Sequence, residues 1–262
     1  MPVLQTVGAV VYNQEVIADH MVLVCEAPNL AEQVQPGHFV NVLASETITS
    51  ILRKPFSIFH ADPQAGTVSI LYQIKGATTL GLSRKIAGDD VDLVGPLGGS
   101  VFRPDVRPGA HHVMVGGGYG VPPLVFLCER LLIADPSCRI TFIVGARSKE
   151  RLLCEAELHA LGVDVRPTTE DGSHGVRGRV TDVLRELTAP LTTVYCCGPT
   201  GMMRAVGDSC ISANIPCQVS LEVPMPCGVG VCMGCVVDTT AGSRVRACTD
   251  GPVFDARSVV WK

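Results

Sequence analysis

Residues 224–254 read PMPCGVGVCMGCVVDTTAGSRVRACTDGPVF. Cys227, Cys232 and Cys235 are spaced C-x4-C-x2-C, and twelve residues separate the last of them from Cys248. This is the plant-type spacing in which four thiolates close a 2Fe–2S cluster. Thiolates suit soft iron. The glycines in the loop, Gly228, Gly230 and Gly234, are expected to take positive φ and to let backbone N–H groups approach the anionic centre. A four-cysteine zinc site is the alternative. Zinc sites usually pair two short knuckles, whereas here three ligands crowd one loop. A set of disulfides is the remaining option. The stretch therefore reads as an electron-transfer module at the end of the chain.

The composition agrees with a reducing compartment. Eight further cysteines are scattered, several in apolar runs, as buried thiols are. No disulfide scaffold is expected in a chain of this length without an export signal. The N-terminus lacks a basic n-region and a cleavage site, so no signal peptide is predicted and a cytoplasmic location is. No run of 18 apolar residues occurs, which argues against a membrane span. Net charge is −4, which supplies no basic field for nucleic acid. Apolar residues make up 47% and mean hydropathy is +0.32, values that point to large cores or a surface covered by a partner or cofactor.

Upstream of the cysteines the texture changes twice. Residues 1–105 carry short apolar or alternating runs (5–16, 20–27, 37–44, 56–62, 66–74 and 89–98) broken by Pro36-Gly37, Asp62-Pro63 and Gly95-Pro96. That pattern predicts a small antiparallel barrel or sandwich, interrupted by a helix over 78–87. Residues 106–215 alternate strand and helix. Strands are expected at 111–115, 139–146, 163–172 and 192–199, and helices at 122–135, 149–161, 181–189 and 200–214. Such a rhythm predicts a parallel sheet covered on both faces. Residues 216–262 form the cysteine-rich third region.

Five further segments carry candidate binding chemistry. Gly116-Gly117-Gly118-Tyr119-Gly120 lies between a strand and a helix, where backbone amides can meet a phosphate. It departs from G-x-G-x-x-G at Val121, and an ordinary tight turn fits it equally. Gly145 and Arg147 end the next strand, and Cys197-Gly198-Pro199 ends a later one. Both lie at the carboxyl edge where ligands of open α/β sheets bind. In the barrel, Arg53-Lys54-Pro55-Phe56-Ser57 offers cations, an aromatic ring and a hydroxyl to a flavin and its pyrophosphate. A basic turn is the plain alternative. Leu71-Tyr72-Gln73, with Gly76, Thr78 and Thr79, is a second candidate segment, and a simple helix N-cap is its alternative.

The order of these parts resembles the ferredoxin reductase superfamily. Within it, RKPFSI, LYQ with Thr78-Thr79, GGGYGVPPL, TEDGSHGVRGRVTD, YCCGPTGMM, VSLE and CGVGVCMGC…C…GPVF resemble the electron-transfer subunit of NAD-linked dihydroorotate dehydrogenase over essentially the whole chain. The resemblance implies a multidomain β plus α/β architecture: an FAD-binding antiparallel barrel, an NAD-binding parallel α/β domain and a small C-terminal 2Fe–2S domain. It implies FAD, the cluster and NAD(H) as cofactors. It also implies an FMN-containing catalytic subunit as partner in a heterotetramer of two of each, which works in pyrimidine biosynthesis and passes electrons from FMN through the cluster and FAD to NAD+. No catalytic acid or base for substrate is expected in this chain. Lys54 stands where the family usually has a second Arg, Thr78 where it has Gly, and Tyr119 where it has a smaller aliphatic residue. Val223-Pro224 and Pro226 are also unusual, and they keep open a reductase subunit of another complex (sulfite reductase, hydrogenase or transhydrogenase type). A redox-sensing nucleotide-binding regulator is the non-enzymatic alternative. Arg147-Ser148 leaves NAD and NADP both open.

Overall fold

The computed structural model describes residues 2–43, 52–187 and 190–261. Ile51, the Ala44 end of one predicted strand and the Thr188-Ala189 end of one predicted helix lie outside them. Seven strands build the first region: β1 (Leu4–Ile17), β2 (His20–Glu26), β3 (Phe39–Leu43), β4 (Lys54–Ser57), β5 (His60–Asp62), β6 (Thr67–Gln73) and β7 (Asp90–Leu97). They form one sheet in the order β4-β3-β7-β1-β2-β6-β5, with every pairing antiparallel. The β1–β2 hairpin turns on Ala18-Asp19, with Asp19 at φ 64°. Helices α1 (Pro28–Ala31) and α2 (Ala77–Ser83) flank the sheet.

The run 56–62, expected as one strand, is two. Ile58 donates its N–H to His38 beside β3, and Phe59 donates to Ser69 of β6. The chain thus crosses from one edge of the sheet to the other and closes the barrel over the core of Leu23, Val40, Ile70 and Leu93.

The second sheet uses β8 (His111–Gly117), β9 (Arg139–Ala146), β10 (Asp164–Thr169), β11 (Val176–Arg177), β12 (Thr192–Cys197) and β13 (Cys217–Ser220). Every residue of β8 and β12 is buried, as expected of central parallel strands. Met114 faces one core and Val113 and Val115 the other. Those cores are covered by α3 (Val121–Ala134), α4 (Glu155–Ala160), α5 (Val180–Leu184) and α6 (Thr200–Ser212). Pro122 and Pro123 sit in the first turn of α3, where the missing N–H costs nothing. The single helix expected over 149–161 is broken: a 3₁₀ turn at 149–151 precedes Cys154 at φ 61°, and α4 follows. A right-handed helix does not run through a residue at positive φ, so the turn at Cys154 separates the two pieces, and Leu152, Leu153 and Cys154 are buried in succession.

The cysteine-rich region is stitched to both larger parts. Its strands β14 (Val236–Asp238) and β15 (Arg244–Arg246) form a hairpin, while β16 (Val253–Asp255) pairs antiparallel with β13 at the edge of the parallel sheet. Residues 217–220, grouped with the cluster region on sequence, are thus a strand of the α/β sheet. On the barrel side, Ser100 N–H donates to Gly251 O at 2.8 Å, and Gly99 lies flat against Thr249. A Cβ on Gly99 would stand 1.7 Å from the Thr249 carbonyl oxygen. Gly99→Ala is expected to lower stability by about 2 kcal/mol or more, read as a drop of about 5 °C in the thermal unfolding midpoint.

Candidate functional site

The barrel and the α/β sheet face each other across a cleft of about 540 Å³. β4 supplies Lys54, Pro55, Phe56 and Ser57 to one wall, and the end of β6 supplies Leu71, Tyr72 and Gln73. Lys75, Gly76, Thr78 and Thr79 continue that wall into α2. Both motifs expected to bind flavin therefore meet in one place. Tyr72 is fully buried, donates its hydroxyl to Asn13 and packs edge-on against Phe56. It braces the ring that faces the cleft. Lys54 and Lys75 bring two cations to the wall.

Two of the expected ligands have partners within the chain. Arg53 lies off the cleft, with its guanidinium on the Asp92 carboxylate at 2.5 Å and the Asp92 carbonyl at 3.1 Å. Thr79 spends its hydroxyl on the start of α2, accepting from Lys75 and Gly76 N–H. At Gly76 an added Cβ meets nothing, so packing within the chain does not call for glycine there.

The facing wall comes from the carboxyl edge of the parallel sheet. Gly116 registers with Cys197 on one side, and Gly117 with Gly145 on the other. The three turns singled out on sequence are thereby neighbours. Tyr119, Pro122 and Cys197 line the cleft, and Gly116, Gly117 and Gly118 precede Tyr119 without lining it. A Cβ on Gly120 would sit 2.1 Å from the Cys197 carbonyl, so the Gly-rich turn and Cys197-Gly198-Pro199 touch backbone to backbone. Gly145 is explained by packing: a Cβ there would meet Val180 at 2.4 Å. Arg147 is exposed on the loop beyond β9 and does not reach the cleft.

Cys197 is 2% exposed, and burial pushes its thiol well above the ordinary range. It is a neutral thiol at neutral pH, not a nucleophile. The wall continues through Ser220, Leu221, Glu222 and Val223 to Met225. Glu222 was not among the candidate ligands. Its sequence signals are an acidic residue in the apolar run VSLEVPM and its place in VSLE, one of the segments that resemble the family. Its side chain opens to the cleft, yet the protein around it desolvates the carboxyl and raises it to about 7.

Beyond Met225 the chain enters the cysteine loop. Cys235 and Cys248 are buried with sulfurs 3.2 Å apart, and Cys227 pairs with Cys232. Among the described residues no three His, Cys, Asp or Glu side chains converge as a single metal ion would need. Two pairs of thiols instead suit a two-iron centre. Although burial works against it, the Cys227 thiol is lowered to about 6 by N–H donors of Cys232, Val229 and Val231. Gly228 (φ 70°) and Gly230 (φ 78°) turn those amides inward. The third expected turn residue differs: Met233, not Gly234, takes the left-handed position at φ 61°, and Gly234 N–H donates to Cys232 Sγ. Asn41 of β3 ties this loop to the barrel, donating to the carbonyls of Met225 and Pro226 at 3.4 and 3.5 Å.

Residues 222–260 match the iron–sulfur cluster binding domain of dihydroorotate dehydrogenase B, and residues 114–208 match the oxidoreductase NAD-binding domain. Over 96% of this chain the sequence is 36% identical to the electron transfer subunit of dihydroorotate dehydrogenase B (NAD(+)) of Desulforamulus reducens, 99% of which is covered. The chain belongs to that family of electron transfer subunits. The Bacillus pumilus subunit is 38% identical over 95% of this chain and 96% of its own length. A solved NADH-dependent reduced ferredoxin–NADP oxidoreductase superposes with a TM-score of 0.84 at 29% identity, covering 98% of this chain and 90% of that one. The FAD/NAD-binding domain of the Vibrio cholerae nitric oxide dioxygenase shares the fold, with a TM-score of 0.71 at 19% identity over 83% of this chain and 98% of that one.

Glu222 yields a pH test. Below about 7 its carboxyl is protonated and neutral, and above it the charge repels an anionic ligand in the cleft. Affinity for a flavin dinucleotide is expected to fall as pH rises from 6 to 8. Glu222→Gln should flatten that dependence when binding is followed by flavin fluorescence.

Proposed function

We propose that the cleft holds FAD between Lys54–Ser57, Leu71–Gln73 and Gly76–Thr79, and that NAD(H) lies along Gly116–Gly118, Gly145, Arg147 and Cys197–Pro199. The cluster is held by Cys227, Cys232, Cys235 and Cys248. The observation that carries this reading is the continuity of one wall. Ser220, Leu221, Glu222, Val223 and Met225 line the cleft, and Cys227 follows two residues later. The flavin, when bound, couples the two-electron chemistry of NAD(H) to the one-electron chemistry of the cluster. The protein supplies the rest: lysines for the pyrophosphate, Phe56 braced by Tyr72 beside the ring, a neutral Cys197 and a titrating Glu222.

An electron transfer subunit works with a catalytic partner. In the proposed assembly that partner is the FMN-bearing dihydroorotate dehydrogenase subunit, two copies of each chain are present, and the location is cytoplasmic. Eight cysteines outside the cluster loop, none of them in a disulfide, suit such a reducing compartment. The face that docks is the cysteine loop. Val229 is 45% exposed, Met233 57% and Val231 80%, around an exposed Cys232. The likeness to a ferredoxin–NADP oxidoreductase favours one second reading, in which the same cleft serves another redox partner.

The chain purified without air is expected to show flavin and cluster bands that bleach on titration with NADH. Cys248→Ala should lose the cluster bands and keep NADH-driven bleaching of the flavin. A colourless, zinc-retaining protein would sink the proposal. Val231→Asp should weaken capture of the FMN-bearing subunit by about tenfold or more with both spectra unchanged. Full-strength capture by this variant would move the docking face elsewhere.

A further inference from the structure

Tyr119 sits on the nicotinamide half of the cleft and is anchored on the flavin half. Its hydroxyl donates to the side-chain carbonyl of Gln73, and its ring stacks on the His20 imidazole with centroids 5.7 Å apart and planes 20° from parallel. His20 and Gln73 oppose each other across the β2–β6 pair, so one tyrosine covers a cross-strand pair at the rim of the barrel. His20 is itself fixed: it is 5% exposed, with Nδ1 2.9 Å from the Ala18 carbonyl.

The turn that carries Tyr119 has little freedom. Gly118 is left-handed at φ 54°, and Gly120 lies against the Cys197-Gly198 backbone with no space for a Cβ. Behind Gly117, an added Cβ would meet Met202 Sδ at 2.7 Å. Any shift of Tyr119 along the barrel rim therefore carries Cys197 with it, and Cys197 and Gln73 are on opposing walls of the same cleft.

Resting on the flavin–nicotinamide reading of the cleft, we infer that Tyr119 is a positioning residue that clasps the two walls together and sets the approach of the nicotinamide to the flavin. Hydride transfer requires reacting atoms to come within about 3–3.5 Å, and a misplacement of about 1 Å costs on the order of 100-fold. A clasp at the rim controls that spacing while leaving the phosphate contacts deeper along the sheet edge in place. Its signature is a change in limiting rate with little change in nucleotide affinity.

The experiment compares wild-type holoprotein with Tyr119→Ala, Tyr119→Phe and His20→Leu. Stopped-flow bleaching of the flavin over a range of NADH concentrations separates limiting rate from apparent affinity. Hydrogen–deuterium exchange over residues 70–76 and 117–121 reads the clasp independently of turnover. Tyr119→Ala should lower the limiting rate by about tenfold or more, with the half-saturating NADH concentration changed by less than about threefold. Tyr119→Phe keeps the stack and should retain most of the rate, while His20→Leu should fall between the two. Exchange in both segments should rise in the same order. Flavin content and bleaching by dithionite report folding, and if Tyr119→Ala loses flavin, the Phe and Leu variants decide. Wild-type limiting rates and exchange in these variants would overturn the clasp, as would a faster Tyr119→Ala. A wild-type protein bleached by dithionite but not by NADH would instead overturn the functional reading, and the inference with it.

Discussion

The antiparallel pairing of β13 with β16 is the constraint on which the rest depends. Ser220 pairs with Val253, and Leu221 N–H extends the ladder to the Pro252 carbonyl. The next residues are thereby held at the sheet edge as the wall of the cleft, and Cys227 begins the ligand loop at most about 7 Å of chain beyond Met225. Asn41 grips the same segment from the barrel. One short stretch thus belongs to all three regions, and the cleft and the cluster cannot drift apart without breaking backbone hydrogen bonds.

Around this seam the structure manages charge in two ways. In the cysteine loop, burial and Cys235 push Cys248 up to about 12, whereas amides turned inward by Gly228 and Gly230 favour the thiolate of Cys227. In the cleft the opposite holds: Cys197 is kept neutral by burial, and Glu222 by desolvation up to about pH 7. Arg53, bound to Asp92, brings no free charge to the wall, which leaves Lys54 and Lys75 as its cations. With Cys197 and Glu222 neutral, the two lysines leave this wall positively charged below about pH 7, and Phe56 on Tyr72 adds an aromatic contact to it.

The regions also meet away from the seam. His60 of β5 contacts Glu129 of α3 at 2.6 Å, and Arg130 donates to the Ala61 carbonyl. With the Tyr119 contacts these flank the cleft between barrel and sheet. Partly exposed polar contacts of this kind contribute little stability individually. Their effect is to restrict the relative placement of two walls that are each built from rigid strand ends.

Local pattern by itself determined a good deal. The cysteine spacing, the alternation in the barrel strands and the strand–helix rhythm of the middle region specify three architectures in order, because side-chain period and ligand spacing are properties of neighbouring residues. RKPFS and LYQ offered flavin-binding chemistry locally, yet a basic turn and a helix N-cap fitted them too, and only the family resemblance chose between the readings. Tertiary structure alone decided the rest. Whether 149–161 is one helix depended on the left-handed turn at Cys154. The division of 56–62 into two strands depended on where the barrel closes. Arg53 looked free for phosphate until β7 placed Asp92 beside it. Glu222 and Tyr119 became site residues only when strands distant in sequence brought their side chains to one cleft. Their roles rest on desolvation and on contacts across an interface, quantities that no local window of sequence contains.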